Sequence, residues 1–562
     1  MTTVDRVNAA RDRRGANPWV AVTVLNLGLF MTLLDVTIVN VAIPRLVDDV
    51  HASLDQAAWV SNAYVLALAV LLVTAGRLGD LYGPRRMFLV GTAVFTGASA
   101  LCGLAGTAPL LIAARALQGV GAALVTPQPL TVVTSLFPPE RRGAAFSVNG
   151  IVGGLATLAG PLLGGVLVTH LSWQWVFYVN VPVGLVSLVA TASLVPDVRT
   201  GRRHRLDVTG VVLATLALLP LVFGLTEGPR YDWGAITSYL SVPLLLGVGA
   251  ALLVVLAVQQ ARRQDAEPLV LFALFRSRDF TLMTATGAGL QFGFIGFLLP
   301  FTLYLQSVLG LSALQAGLAT APSAVVNMAL SPVFGRWADR HGAREVLGCG
   351  LLAFAAGVVL LALTADTGRD GWAFVPAMTV IGVGYAATFG PLIAKAMSAA
   401  PPARAGAASG MLNTSRQLGA VLGSAVVTAV LQNRLATALS QEAATRTRRL
   451  PAGVREQLRA AFDDAARGGL RVGTGQSGIR LPARLPAAWA AEARRTAAEV
   501  YRHAFVTALR PTLLLCAAVL LAAAGCAFAS RRGRAGATAE PPTEGGGAPA
   551  AHQDRRHRTH RQ

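Results

Sequence analysis

Asp35 stands inside an apolar stretch running from Trp19 to Pro44 that contains no other charged residue. An ionised carboxylate at the centre of a bilayer costs at least ~2.5 kcal/mol, so an acidic residue within a membrane helix marks a functional site by default. Beside a cation a buried carboxyl keeps its charge, and away from one it takes up a proton. A protein that moves the group between those settings can carry protons. Arg115, deep in the apolar run 109–133, is the cation expected beside it. The plainer alternative is a static pair that only joins two helices. Enzyme chemistry is not legible elsewhere: no Ser-His-Asp, HExxH or Cys/His cluster lies at a membrane face, and no GxxxxGK[ST] phosphate loop is present. Cys102, Cys349, Cys516 and Cys526 fall in apolar runs without metal-ligand spacing, so neither a metal nor a disulfide is expected.

The elements that must hold Asp35 and Arg115 follow from composition. Of 562 residues 54% are hydrophobic and 14% charged, against ~25% charged in soluble domains, and the mean hydropathy is +0.55. Because a span needs about 20 apolar residues, the chain is expected to be an all-α integral membrane protein. Apolar windows give fourteen candidate helices, near 18–44, 57–78, 87–106, 109–133, 143–169, 173–195, 208–226, 237–259, 280–306, 313–335, 346–365, 372–398, 406–432 and 504–528. We number them spans 1 to 14. With the N-terminus inside, arginines concentrate in alternate connections. Arg85, Arg86, Arg141, Arg142, Arg202 and Arg203 fall inside, while the short outer loops hold only Arg45, Arg230 and Arg369. The net charge of +20 therefore reads as a topology signal rather than a nucleic-acid surface. Both termini are expected in the cytoplasm.

Residues 433–503 strain this rule, with thirteen arginines against six acids on the outer side, but long loops escape the charge bias. Val454 to Ala466 and Ala487 to Tyr501 read equally as an amphipathic outer cap or as a solvated loop. The Gly- and Pro-rich stretch 529–562 is expected to be disordered. Arginine almost entirely replaces lysine, with Lys395 the sole lysine, a bias of GC-rich coding as in actinobacteria.

The loop after span 2 reads Gly76-Arg77-Leu78-Gly79-Asp80-Leu81-Tyr82-Gly83-Pro84-Arg85-Arg86. The loop after span 10, 259 residues on, reads Gly335-Arg336-Trp337-Ala338-Asp339-Arg340-His341-Gly342-Ala343-Arg344. If these correspond, spans 1–6 match spans 9–14 and spans 7–8 are an inserted pair, a two-bundle transporter architecture. The domains would be a cytoplasmic segment 1–17, a six-helix bundle 18–195, an inserted pair with flanking loops 196–279, and a second six-helix bundle 280–528.

With these loops, Leu34 to Pro44 in span 1, Gly160-Pro161 with Gly164-Gly165 in span 5, and WQWVFYVNVPVG from Trp173 to Gly184 in span 6, the chain resembles the major facilitator superfamily. Within it, the fourteen-span drug:proton antiporters are most similar. That resemblance implies the major facilitator fold, no cofactor, and proton-gradient-driven export of a small lipophilic substrate by a monomer in the plasma membrane. It implies proton coupling at Asp35 and Arg115, and gating at Gly76, Asp80, Gly83, Arg85, Arg86, Gly335, Asp339, Gly342 and Arg344. Gly160, Pro161, Gly164 and Gly165 resemble the antiporter signature, which argues for export over uptake. Leu81 departs from the loop pattern, where an Arg is usual, and leaves Asp80 to pair with Arg85 or Arg86 or to face a helix N-terminus. Polar and aromatic residues of the spans supply the substrate candidates: Asn40, Tyr64, Gln118, Gln291, Phe292, Gln306, Asn327, Tyr385 and Asn413. An uptake symporter and a non-transporting sensor or scaffold are the alternatives.

Overall fold

The computed structural model describes residues 17–50, 52, 54–138, 141–198, 207–231, 233–263, 272–401, 404–467 and 487–531. These are helices and turns, without a strand among them beyond a single bridge between Ala235 and Ser241. Fourteen helical stretches are long and apolar enough to cross a membrane. They are Pro18–Val39, Trp59–Tyr82, Pro84–Leu104, Ala108–Leu136, Arg142–His170, Trp175–Leu194, Val208–Leu225, Val242–Arg262, Arg278–Ser307, Gln315–His341, Ala343–Thr364, Gly371–Ser398, Ala405–Arg446 and Ala491–Ala529. Their outward faces carry side chains such as Val189, Val254 and Leu363, more than 60% exposed, an apolar belt of the kind that lipid covers.

The packing repeats. In the first half span 1 lies against spans 5 and 6, span 3 against spans 4 and 6, and span 2 against span 4. In the second half span 9 lies against spans 13 and 14, span 11 against spans 12 and 14, and span 10 against span 12. Each pairing is carried over by adding eight to the span number. The halves meet where span 5 packs on span 10 and span 13 on span 2, which the same operation also relates. Spans 7 and 8 pack on each other, and span 7 leans on spans 2 and 13.

Helix boundaries have local causes. Gly83 and Gly342 adopt φ +92° and +99°, which side chains resist, and each breaks the chain between two spans. Pro84 then opens span 3 at a position where its missing N–H costs nothing. Asp207 starts span 7 by accepting from the Gly210 N–H at 2.9 Å and from Gln260 Nε2 of span 8 at 2.6 Å. Span 4 is interrupted between Val125 and Gln128, and span 12 between Ala386 and Phe389. Both breaks fall at equivalent places in the two halves.

Residues 433–503 differ from a simple outer loop. The helix of span 13 continues to Arg446, helix Ala452–Arg467 follows, and the helix of span 14 begins at Ala487. Leu435, Leu439, Leu458, Phe462 and Val500 are fully buried among them. The solvated-loop reading fails for these residues: runs of alanine and other strong helix formers carry both spans onward, and the apolar side chains recur at helical spacing on one face. Residues 468–486 lie outside the described residues, as do 1–16 and 532–562.

Candidate functional site

Spans 1, 3, 4 and 6 converge on Asp35. Arg115 Nη1 lies 2.5 Å from Asp35 Oδ2. The other oxygen, Oδ1, accepts from Gln118 Nε2 at 2.9 Å and from Asn180 Nδ2 at 3.0 Å. Arg115 also donates through Nε to the Val60 carbonyl at 2.9 Å and through Nη1 to Gln118 Oε1 at 2.7 Å. Its guanidinium lies 4.5 Å from the Tyr64 ring centroid. Ser99 Oγ receives bonds from Gln118 and Asn180, each 3.2 Å, and donates to the Phe177 carbonyl at 2.9 Å. Asp35, Ser99, Arg115, Gln118, Asn180 and Tyr64 are all at most 1% exposed. A buried ion pair needs further hydrogen bonds in such a setting, and here both Asp35 oxygens and the Arg115 Nε and Nη1 are engaged. Protonating Asp35 would remove the charge that holds Arg115, so one proton acts on contacts among four spans.

The two Gly-Asp loops make a reciprocal pair of contacts between the halves. Asp80, at the end of span 2, accepts from the Gly406 and Ala407 N–H groups at the start of span 13, both at 2.7 Å. Asp339, at the end of span 10, accepts from Gly143 and Ala144 at the start of span 5, at 2.8 and 2.9 Å. Each carboxylate meets otherwise unsatisfied donors at the positive end of a helix dipole. Close backbone approach is required: a Cβ on Gly76 would lie 2.5 Å from the Gly406 carbonyl oxygen, and one on Gly335 1.9 Å from Ser147 Oγ. Arg85 donates instead to the Ala192 carbonyl of span 6, and Arg77, 2% exposed, lies 4.0 Å from Asp80. Arg86 is exposed and Arg344 partly buried.

A sequence model of the Major Facilitator Superfamily matches residues 25–424. The chain belongs to the major facilitator superfamily. An uncharacterized MFS-type transporter of Mycobacterium tuberculosis is 39% identical over 436 residues, 78% of this chain and 74% of the relative. The tetracenomycin C resistance and export protein of Streptomyces glaucescens is 35% identical over 519 residues, 92% of each chain. Among solved structures, a superfamily proton:xylose symporter superposes with a TM-score of 0.55 at 14% identity, covering 83% of this chain and 97% of that one. This last likeness concerns the fold alone.

The other expected superfamily positions fall in three groups. The span 5 glycines bring it against span 1: a Cβ on Gly160 would lie 2.0 Å from Thr37 Oγ1 and one on Gly164 3.0 Å from the Ile38 side chain. Thr37 Oγ1 donates to the Ala156 carbonyl at 3.2 Å, two residues from Asp35. Gly165 faces open space, and the Pro161 and Asn40 side chains lie outside the described residues. Gln118 and Tyr64, expected to meet substrate, are enclosed in the ion-pair cluster. Asn327 bridges the halves, donating to the Gly150 carbonyl of span 5 at 3.1 Å. Gln291, Phe292, Gln306, Tyr385 and Asn413 remain in the second half, partly exposed except for Asn413 at 7%. Gln306 sits in a widened π turn, Tyr304–Val308, that follows Pro300.

Ser99 and Asn180 were not singled out from the sequence, although Asn180 lies inside the quoted span 6 motif. Glu227 is a further buried acid without a signal in the sequence: it is 2% exposed at the end of span 7 and accepts from Asn62 Nδ2 of span 2 at 2.6 Å. Its place one residue beyond the apolar run disguised it as a loop acid.

Proposed function

We propose that this protein is a proton-driven antiporter that exports lipophilic small molecules, antibiotics or related metabolites, across the plasma membrane by alternating access. The sealed Asp35–Arg115 pair carries the reading. It is a buried, exchangeable charge within the membrane part of a chain most of whose length aligns with a tetracenomycin C resistance and export protein. The arginine-rich side, holding the Asp80 and Asp339 contacts, is taken as cytoplasmic by the charge rule, with both termini on it. The protein works as a monomer and needs no cofactor.

With both contacts made, the cytoplasmic side is shut. A proton entering from outside neutralises Asp35 and frees Arg115, spans 1 and 4 shift, and the Thr37–Gly160 contact passes the shift to span 5. The start of span 5 is what Asp339 holds, so one gate lies on the helix that packs directly against span 1, which carries Asp35. Opening inward delivers the proton to the cytoplasm and admits substrate. Return of the ionised pair favours the shut gates again. Each net charge moved contributes about 2.3 kcal/mol per 100 mV.

The test uses everted vesicles with an inside-acid gradient, wild type beside Asp35→Asn, and a panel of antibiotics and dyes. Substrate-dependent collapse of the gradient is expected in wild type and not in a well-inserted variant. Equal collapse in both would remove Asp35 from coupling, and no collapse with any compound would argue against antiport.

A further inference from the structure

Arg416 is a second cation deep in the membrane, and among the described residues no carboxylate pairs with it. It lies eleven residues into the helix that starts at Ala405, about 16 Å along at ~1.5 Å per residue, near the middle of a ~30 Å hydrocarbon core. Its one hydrogen bond runs from Nη1 to Asn413 Oδ1 at 3.2 Å, and its Nε is buried without a partner. The guanidinium lies 4.6 Å from the centroid of Phe389. A charged arginine at this depth is costly in hydrocarbon even on permissive scales, and neither a ring face nor a neutral carboxamide cancels a full charge.

The surroundings suit a flat ligand. Phe389 opens the second segment of broken span 12, and Tyr385 stands one residue before the end of the first, stacked at 4.7 Å on Phe294 of span 9. Gly287 leaves room for the Arg416 stem, a Cβ there falling 3.1 Å from Arg416 Cγ. One turn further along the same face of span 9, Gln291 has a buried carboxamide oxygen without a partner. An anionic group would answer Arg416, aromatic faces would flank the ligand, and a ligand hydroxyl would donate to Gln291.

We propose that Arg416, Phe389, Tyr385 and Gln291 form a subsite for planar aromatic monoanions bearing a hydroxyl group. The proposal rests on the export reading and narrows its substrate class. The first half contributes no competing charge, because Asp35 and Arg115 neutralise one another.

The probes are 6-hydroxy-2-naphthoate and its neutral methyl ester, which share ring and hydroxyl and differ in charge. Binding to the purified full-length protein is followed by naphthol fluorescence at fixed detergent, for wild type, Arg416→Gln and Arg416→Lys. Wild type is expected to prefer the anion. Arg416→Gln should weaken anion binding at least about tenfold and ester binding less than about twofold, with Arg416→Lys between. Equal losses for both probes would reduce Arg416 to a structural role, and wild type that ignores the anion would overturn the subsite. The Lys variant keeps the test decisive if the Gln variant fails to fold. Export is scored separately in vesicles, so intact anion binding without export would count against the transport reading and not against the subsite.

Discussion

Asp80 and Asp339 hold opposite halves of the molecule by the same pair of backbone bonds, yet Arg115 and Arg416 occupy opposite electrostatic situations. Arg115 has a carboxylate at 2.5 Å, a carbonyl and a carboxamide, all sealed from solvent. Arg416 has one carboxamide and a ring face, and an Nε without a partner. The halves thus share their carboxylate-to-helix contacts, while the membrane interior divides: one buried cation is balanced inside the protein, and on the subsite proposed above the other is met by an anion from outside it. Duplication accounts for the likeness and not for the difference, since the residue 259 positions after Arg115 is Phe374.

The largest effect expected from this contrast is on stability. Arg115→Leu strands the Asp35 charge and should cost about 3–5 kcal/mol, read as a fall in melting temperature in detergent. Arg416→Leu should leave that temperature unchanged or raise it, because it removes an unbalanced charge; equal falls would show that Arg416 is as structural as Arg115. Next comes the gate packing. Gly335→Ala forces a methyl group onto Ser147 Oγ and should cost about 1–3 kcal/mol of the shut state, whereas Gly165→Ala enters open space and should change nothing. Labelling of single cysteines introduced on the arginine-rich side distinguishes them.

Removing charge from the gates is smaller. Asp80→Asn and Asp339→Asn should each weaken the shut state by about 1 kcal/mol, from the loss of the carboxylate at a helix N-terminus. The same accessibility assay should find the two variants alike; a large inequality would break the symmetry argued here. The smallest change is Phe389→Leu, which removes the ring under Arg416. It should weaken naphthoate binding by about 0.5–1 kcal/mol, about two- to fivefold, with little effect on the methyl ester.

Much of this arrangement was legible in the residues. Fourteen apolar runs mark fourteen spans because each helix must satisfy its own backbone within lipid. The repeated Gly and Asp spacing marked the two loops whose carboxylates join the halves, and a lone acid among apolar neighbours marked Asp35. What stayed hidden is the partner choice of uncharged polar side chains. Gln118, Ser99 and Asn180 look like any other polar residue of a membrane helix, and only the crossing of spans 3, 4 and 6 makes them ligands of one carboxylate. Leu81 left the partner of Asp80 open, and the structure resolves it by chain topology rather than local sequence: the start of span 13 lies more than three hundred residues away. Window-based reading also stops at the edge of hydrophobicity, so it missed Glu227 and the extension of span 13 to Arg446, and it read Ala487 to Tyr501 as a separate cap where the helix runs on into span 14.

The helix Ala405–Arg446 has 42 residues, about 63 Å at ~1.5 Å each, roughly twice the thickness of the ~30 Å hydrocarbon core. Asp80 grips its first turn, and its far end stands clear of the membrane against helix Ala452–Arg467. It is therefore a lever with its latch at one tip: a tilt of about 5° about the latched end carries the opposite tip through about 5 Å, given that length. Movement too slight to notice at the carboxylate becomes a displacement large enough for an antibody fragment bound at the far tip to follow or to clamp.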